Sequence, residues 1–308
     1  MFKEIAPSVW QRDSGRPGTS VLILGGVHGN ERTGVEVINA LLELFRSGER
    51  SIAKGRLTLA LGNLEAIKQN KRCLDGKDLN RLFNPERLTG ALDGTDEDTR
   101  ARILAPYIVE ADMTLDIHAT NKPSVPFVCS VISSKHEQIY RWFDANIVLT
   151  DPNFILAGTP CTTDDYANGC SKIGICYEAG WIGDPSRVEK TIASLLKILG
   201  EAGMTDYPSA VKPTALFDRF ELIEAIMLTE KGFAFTPEYG ASSFQEVKKG
   251  ECIGYTDQTI PYSANEDSVI VFPKVPELWA IGKPVGYLAK RLTQPLNKNR
   301  PNGETFVV

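Results

Sequence analysis

Histidine is scarce in this chain. Only His28, His118 and His136 occur in 308 residues, so nearly every candidate for an imidazole metal site is known at the outset. The six cysteines, at 73, 129, 161, 170, 176 and 252, never fall in a C-x-x-C spacing. That argues against a cysteine-rich zinc module or a dithiol redox motif and points to reduced thiols in the cytoplasm, with a Cys161 to Cys170 bridge the less favoured alternative. Long apolar runs are missing: nothing approaches the roughly 20 residues of a membrane span. The N-terminal stretch "MFKEIAPSVWQRDSGRPG" has no continuous apolar core, so no signal peptide is expected. A basic stripe is missing too, and 34 basic against 39 acidic residues give a net charge of -5, which excludes nucleic acid as the expected partner.

What is present is a globular composition, 42% apolar and 24% charged, in a chain long enough for two domains at about 150 residues each. "TSVLILGG" (19–26) is apolar throughout and bounded by glycine, the mark of a strand buried on both faces. Val35, Ile38, Leu41, Leu42 and Phe45 then recur at helical spacing until Gly48. "RLTLALGN" (56–63), "MTLDI", "FVCSVI" (127–132) and "IGICYEAG" (173–180) read as further strands. "DEDTRARILAPYIVEADMTLDIHAT" (96–120) reads as an acidic helix start, a helix interrupted near Pro106, then the strand "MTLDI". "DPSRVEKTIASLLKILGEAG" (184–203) is the clearest helix, with Asp184 placed to cap it. This alternation predicts an α/β catalytic domain over residues 1–206, with a mixed, largely parallel sheet flanked by helices. Beyond "YPSAVKP" the helical period stops. "FELIEAIML", "GFAFTPEYG", "ECIGYT", "SVIVFP" and "PVGYLA" predict a small all-β C-terminal domain over 207–308.

Three stretches carry chemistry. In "LILGGVHGNERTG", His28 and Glu31 lie just past the C-terminal end of the first buried strand, where open α/β sheets place their sites. Glycines on both sides let the backbone approach a ligand. A hydrolytic zinc takes three protein ligands and keeps a fourth position open, and His118, closing the strand "TLDIH", can be the third. Asp116, two residues earlier, is placed to orient an imidazole. His136, in "SSKHEQ", reads as a surface residue. In "GNLEAIKQNKRCLDGKDLNRLF" (62–83), Arg72 and the Asn80-Arg81 pair would bind a carboxylate or polarise a carbonyl, if they are not simply exposed loop residues. In "GICYEAGW", Glu178 ends an apolar strand, which fits a general base or a structural ion pair.

Together these stretches resemble the succinylglutamate desuccinylase and aspartoacylase family, relatives of the zinc carboxypeptidases. "GGVHGNERTG" is similar to the family's metal-ligand loop, "KR" and "DLNRLF" to its substrate segment, "DIHAT" to its third-ligand strand and "YEAG" to its catalytic-glutamate strand. The order is the family's, over about residues 20 to 182. The resemblance implies one zinc per chain on His28, Glu31 and His118. It implies that Arg72 polarises the acyl carbonyl, that Asn80 and Arg81 hold an α-carboxylate, and that Glu178 is the catalytic base. The sequence departs from the pattern at "CTTDDYANGCSK" (161–172). Aspartoacylases carry an arginine there for a second carboxylate, and this chain has Asp164 and Asp165 instead. One extra residue also separates Arg72 from Asn80.

The reading is a zinc-dependent amidohydrolase that removes the acyl group from a small N-acylated amino acid. Its expected partners are that substrate alone, with no nucleic acid and no membrane, and with room for a homo-oligomer. The rivals are a zinc carboxypeptidase acting on peptides and a non-catalytic zinc-binding α/β module. Glu178 and the Asn80-Arg81 pair argue against the last, because a structural zinc closed by four ligands needs neither.

Overall fold

The computed structural model describes residues 2–74, 76–206, 213–214 and 216–293. The chain opens with a hairpin, β1 (Lys3–Ala6) and β2 (Val9–Asp13). Then come β3 (Ser20–Gly25), α1 (Arg32–Arg46), β4 (Arg56–Leu61) and a short α2 (Leu64–Gln69). After a 3-10 turn at Leu79–Arg81 follow α3 (Pro85–Thr89), α4 (Asp96–Glu110), β5 (Met113–Thr120), β6 (Phe127–Cys129) and α5 (Ser134–Tyr140). Next are β7 (Ile147–Thr150), α6 (Thr163–Gly169), β8 (Ile173–Trp181) and α7 (Ser186–Glu201). The rest is strand apart from a 3-10 turn at Pro276–Leu278: β9 (Asp218–Met227), β10 (Phe233–Phe235), β11 (Gln245–Val247), β12 (Cys252–Thr256), β13 (Ile260–Ser263), β14 (Ser268–Val271) and β15 (Pro284–Arg291).

The predicted mixed sheet is present and runs in the order β1-β2-β4-β3-β5-β8-β6-β7-β9-β15-β14-β11. Its centre, β4-β3-β5-β8, is parallel. The expected C-terminal strands form, with a pairing that no pattern in the chain announces. β9 lies parallel to β7, and β15, β14 and β11 continue the same sheet, while β10, β12 and β13 make a separate small one. The predicted junction at 207–212 and the tail beyond 293 lie outside the described residues.

Strand periodicity sorts the two faces. On β5, Met113, Leu115 and Ile117 join Ile23, Ile38, Leu41, Ile175, Leu195 and Leu199 in the core under α1 and α7. The intervening Thr114, Asp116 and His118 point to the opposite face. There Leu22, Leu24 and Ala60 pack against Leu79, Phe83, Leu104 and Ile108. Each fully buried aliphatic side chain contributes about 1.5–3 kcal/mol. The apolar core under α1 and α7 thus holds the sheet rigid, and the other face is left to carry polar groups. The predicted break at Pro106 does not occur: α4 is continuous through it. Pro106 faces solvent, so the carbonyl its ring leaves without an amide donor can turn to water.

Candidate active site

The loop after β3 is shaped by close contacts. A Cβ on Gly25 would lie 2.2 Å from the Gly34 carbonyl oxygen, and one on Gly29 would lie 2.1 Å from the backbone of Ala66. Only glycine fits at either position, so the "GGVHGNERTG" glycines are needed to fold the loop back on α1 and α2. Glu31 occupies the N-cap of α1. Its amide donates to the His28 carbonyl at 3.1 Å, and the Gly29 amide donates to the Arg72 carbonyl at 3.2 Å. His118 reaches the same point from β5.

The three side chains converge. His28 Nδ1 lies 2.8 Å from Glu31 Oε1, His118 Nδ1 lies 2.9 Å from Glu31 Oε2, and the two Nδ1 atoms are 3.1 Å apart. All three residues are buried. The outward nitrogens are fixed by carboxylates: His118 Nε2 meets Asp116 Oδ2 at 2.9 Å and His28 Nε2 meets Asp78 Oδ1 at 3.0 Å. Ionised carboxylates only accept, so both Nε2 atoms carry the proton. The electrostatics agree. Burial works against charge on each group, but the partners win: His28 and Arg72 hold Asp78 well below the usual carboxylate range, and His28 and His118 do the same for Glu31. Asp116 and Glu31 in turn hold His118 well above its ordinary value. Two inward nitrogens and a carboxylate, facing each other with their lone pairs, repel unless positive charge lies among them. The raised proton affinity of His118 answers part of that repulsion, and a metal cation would answer it more fully; this donor set fits such an ion.

The structure brings the other predicted residues to the same place. Arg72 donates to Glu31 Oε1 and to Asp78 Oδ2, both at 3.2 Å. Asn80 is buried, with its Oδ1 accepting from the Thr163 amide at 3.0 Å. Among the described residues Arg81 hydrogen-bonds to backbone carbonyls, of Asn80 at 2.8 Å and Leu156 at 3.5 Å. Glu178 is the register partner of His118 across β5 and β8, so both project from the same face. Its Oε2 is buried with no hydrogen-bond partner. Burial, and next the charge of Glu31, push its carboxyl up to about 8.

Some residues of the site were not anticipated. Asp78 ties His28 to Arg72, and a carboxylate two residues before the Asn80-Arg81 pair was the signal for it. Thr163 bridges Asn80 and Asp116, its Oγ1 donating to Asp116 Oδ2 at 2.5 Å. Lys274, in the loop after β14, and Tyr287, on β15, come from far away in sequence. The Tyr287 hydroxyl donates to the Leu156 carbonyl, which Arg81 also contacts. Lys274 has no side-chain partner among the described residues. Its pKa is lowered to about 8 by burial and by the positive charges of Arg72 and Arg81. His136 is a correction. It is 7% exposed, not a surface residue, because Ser133 Oγ and Asn168 Oδ1 bond its two ring nitrogens at 2.7 and 2.8 Å.

Comparison with known proteins agrees with this arrangement. A model of the succinylglutamate desuccinylase/aspartoacylase catalytic domain matches residues 17–199. A probable aspartoacylase of Acaryochloris marina is 24% identical over 273 residues, covering 79% of this chain and 86% of its own. The solved succinylglutamate desuccinylase of Vibrio parahaemolyticus shares the fold at a TM-score of 0.74 and 19% identity, over 94% of this chain and 88% of its own. Murine aminoacylase 3 does so at 0.69 and 21%, over 91% and 97%. Over its catalytic part the chain belongs to the succinylglutamate desuccinylase/aspartoacylase family.

Proposed function

We propose that this protein is a zinc-dependent deacylase that hydrolyses the amide bond of a small N-acyl amino acid. The observation that carries this reading is the pairing of two unlike elements in one pocket: three inward-facing metal donors, and an unpartnered carboxyl, Glu178, one strand away. His28, Glu31 and His118 would hold the ion. Bound there, zinc supplies Lewis acidity that acidifies water and polarises a carbonyl.

The chain's own residues do the rest. Glu178 takes the proton of the attacking water and delivers it to the leaving nitrogen. Burial, the charge of Glu31 and that of Asp116 raise its proton affinity, and a cation held by Glu31 would offset the second. Arg72, next to Glu31, stabilises negative charge developing on the carbonyl oxygen. Arg81 makes no ion pair among the described residues and takes the α-carboxylate of the substrate, with Asn80 beside it. Asp78 and Asp116 fix the imidazole tautomers from outside. The setting we infer is the cytoplasm, with the six free cysteines reduced.

A hydrolysis screen of N-acetyl and N-succinyl amino acids with zinc-loaded protein tests the reading. Turnover of free-acid substrates with zinc, its loss on chelation and poor turnover of the amidated analogues are expected. Cleavage of peptides in preference to acyl amino acids would favour the carboxypeptidase alternative.

A further inference from the structure

Asp164 is a carboxylate at this site with no cation of its own among the described residues. Its position is fixed by its neighbours. Thr163, the residue before it, is hydrogen-bonded to Asn80 on one side and to Asp116 on the other. The backbone of Asp164 lies on β8, where a Cβ on Gly174 would come within 2.1 Å of its carbonyl oxygen. The start of α6 is therefore wedged between the Asn80-Arg81 pair and the strand that ends in Glu178.

The Asp164 carboxylate accepts from Thr162 Oγ1 at 2.7 Å and from its own backbone amide. Its charge acts on the thiols of Cys129 and Cys176, which are register partners on β6 and β8. Cys176 precedes Glu178 by two residues, so it shares the face of the sheet that carries the reaction. A second acceptor close to Asp164 is also unmet: Asp116 is 0% exposed, and its Oδ1 has no partner. The surroundings thus have two poles. Arg81 and Lys274 make no direct ion pair among the described residues, although the charge of Asp78 reaches both. Asp164 is a carboxylate without a cation, walled by small uncharged thiols.

We propose that Asp164 receives a cationic group on the side chain of the substrate's amino-acid part, so that this enzyme prefers N-acyl derivatives of basic amino acids. The proposal rests on the deacylase reading. The physical motive is the cost of a carboxylate that no counter-charge meets. Burial and the neighbouring Asp165 raise the Asp164 carboxyl to about 7, so its ionised form is penalised until an opposite charge arrives. An ammonium turns that penalty into attraction.

The test is a set of kcat/KM values on the zinc-loaded full chain. Nα-acetyl lysine, ornithine and 2,4-diaminobutyrate are compared with neutral isosteres such as Nα-acetyl norleucine, and with N-acetyl glutamate and aspartate. At least one basic substrate should exceed its isostere by roughly 10- to 100-fold, the value of a hydrogen bond to a charged group, mostly through KM. Asp164→Asn should reduce that ratio about tenfold or more. If Asp164→Asn does not fold, the wild-type ratio decides alone. A wild-type ratio of one or below, or an unchanged ratio in a folded Asp164→Asn protein, overturns the proposal while leaving the deacylase reading standing. No turnover of any acyl amino acid overturns both.

Discussion

The loop after β3 and the end of β8 each place a glutamate in the same pocket, and the two could hardly be treated more differently. Glu31 is 3% exposed and Glu178 is 8% exposed, so the cost of removing them from water is similar. Around Glu31 stand two imidazoles, Arg72 and the Ala119 amide, the last donating at 3.1 Å, and these overcome burial. Around Glu178 nothing donates to Oε2, and burial prevails. Environment, not residue type, therefore divides the roles: one carboxylate stays ionised and can hold a metal, and the other keeps a proton affinity near neutrality and can exchange one.

The largest break in this comparison should come from His118→Ala. It removes one donor of three, and zinc content should fall from about one per chain towards zero, with activity at background. Full zinc occupancy in that protein, measured by elemental analysis, would contradict the ligand assignment. Glu178→Gln should do the reverse: zinc content unchanged, kcat down by about 10²- to 10⁴-fold. Zinc lost along with activity would make Glu178 a ligand and erase the distinction. Asp116→Asn leaves all three donors but alters the bond that orients His118; zinc affinity should weaken about 10- to 100-fold, read by competition with a chelator.

The smallest effect concerns stability without metal. The Glu178 carboxyl has a pKa of about 8 in the folded protein, against an ordinary value of 4.5. Between those values the folded state binds the extra proton, so stability falls as pH rises through this window. Gln cannot ionise. Metal-free Glu178→Gln should therefore melt higher than wild type near pH 8, by several degrees at roughly 2–4 °C per kcal/mol, and the gap should close towards pH 5. A gap that stays constant with pH would show that Glu178 is not the titrating group.

Much of this was legible in the sequence, for reasons that differ by residue. His28, Glu31 and His118 could be placed because strand ends are visible as apolar runs closed by glycine, and because histidine is so rare here. The strand and helix order followed from periods of two and 3.6. Contacts made by elements distant in the chain left no such trace. Lys274 and Tyr287 reach the site only because β14 and β15 continue the sheet past β9. His136 sits in a polar run, and its burial depends on Asn168, 32 residues away. Pro106 looked like a break because local propensity takes no account of which side of a helix faces water.

The parallel pairing of β9 on β7 has a practical consequence for handling the protein. A fragment ending near residue 206 would contain every proposed zinc ligand and Glu178, yet it would strip the partner from one side of Ile147–Thr150. That strand reads Ile-Val-Leu-Thr, with no charge or proline to discourage another chain from adding to its bare amides and carbonyls. The expected result of such a truncation is aggregation through that edge, not a smaller working enzyme.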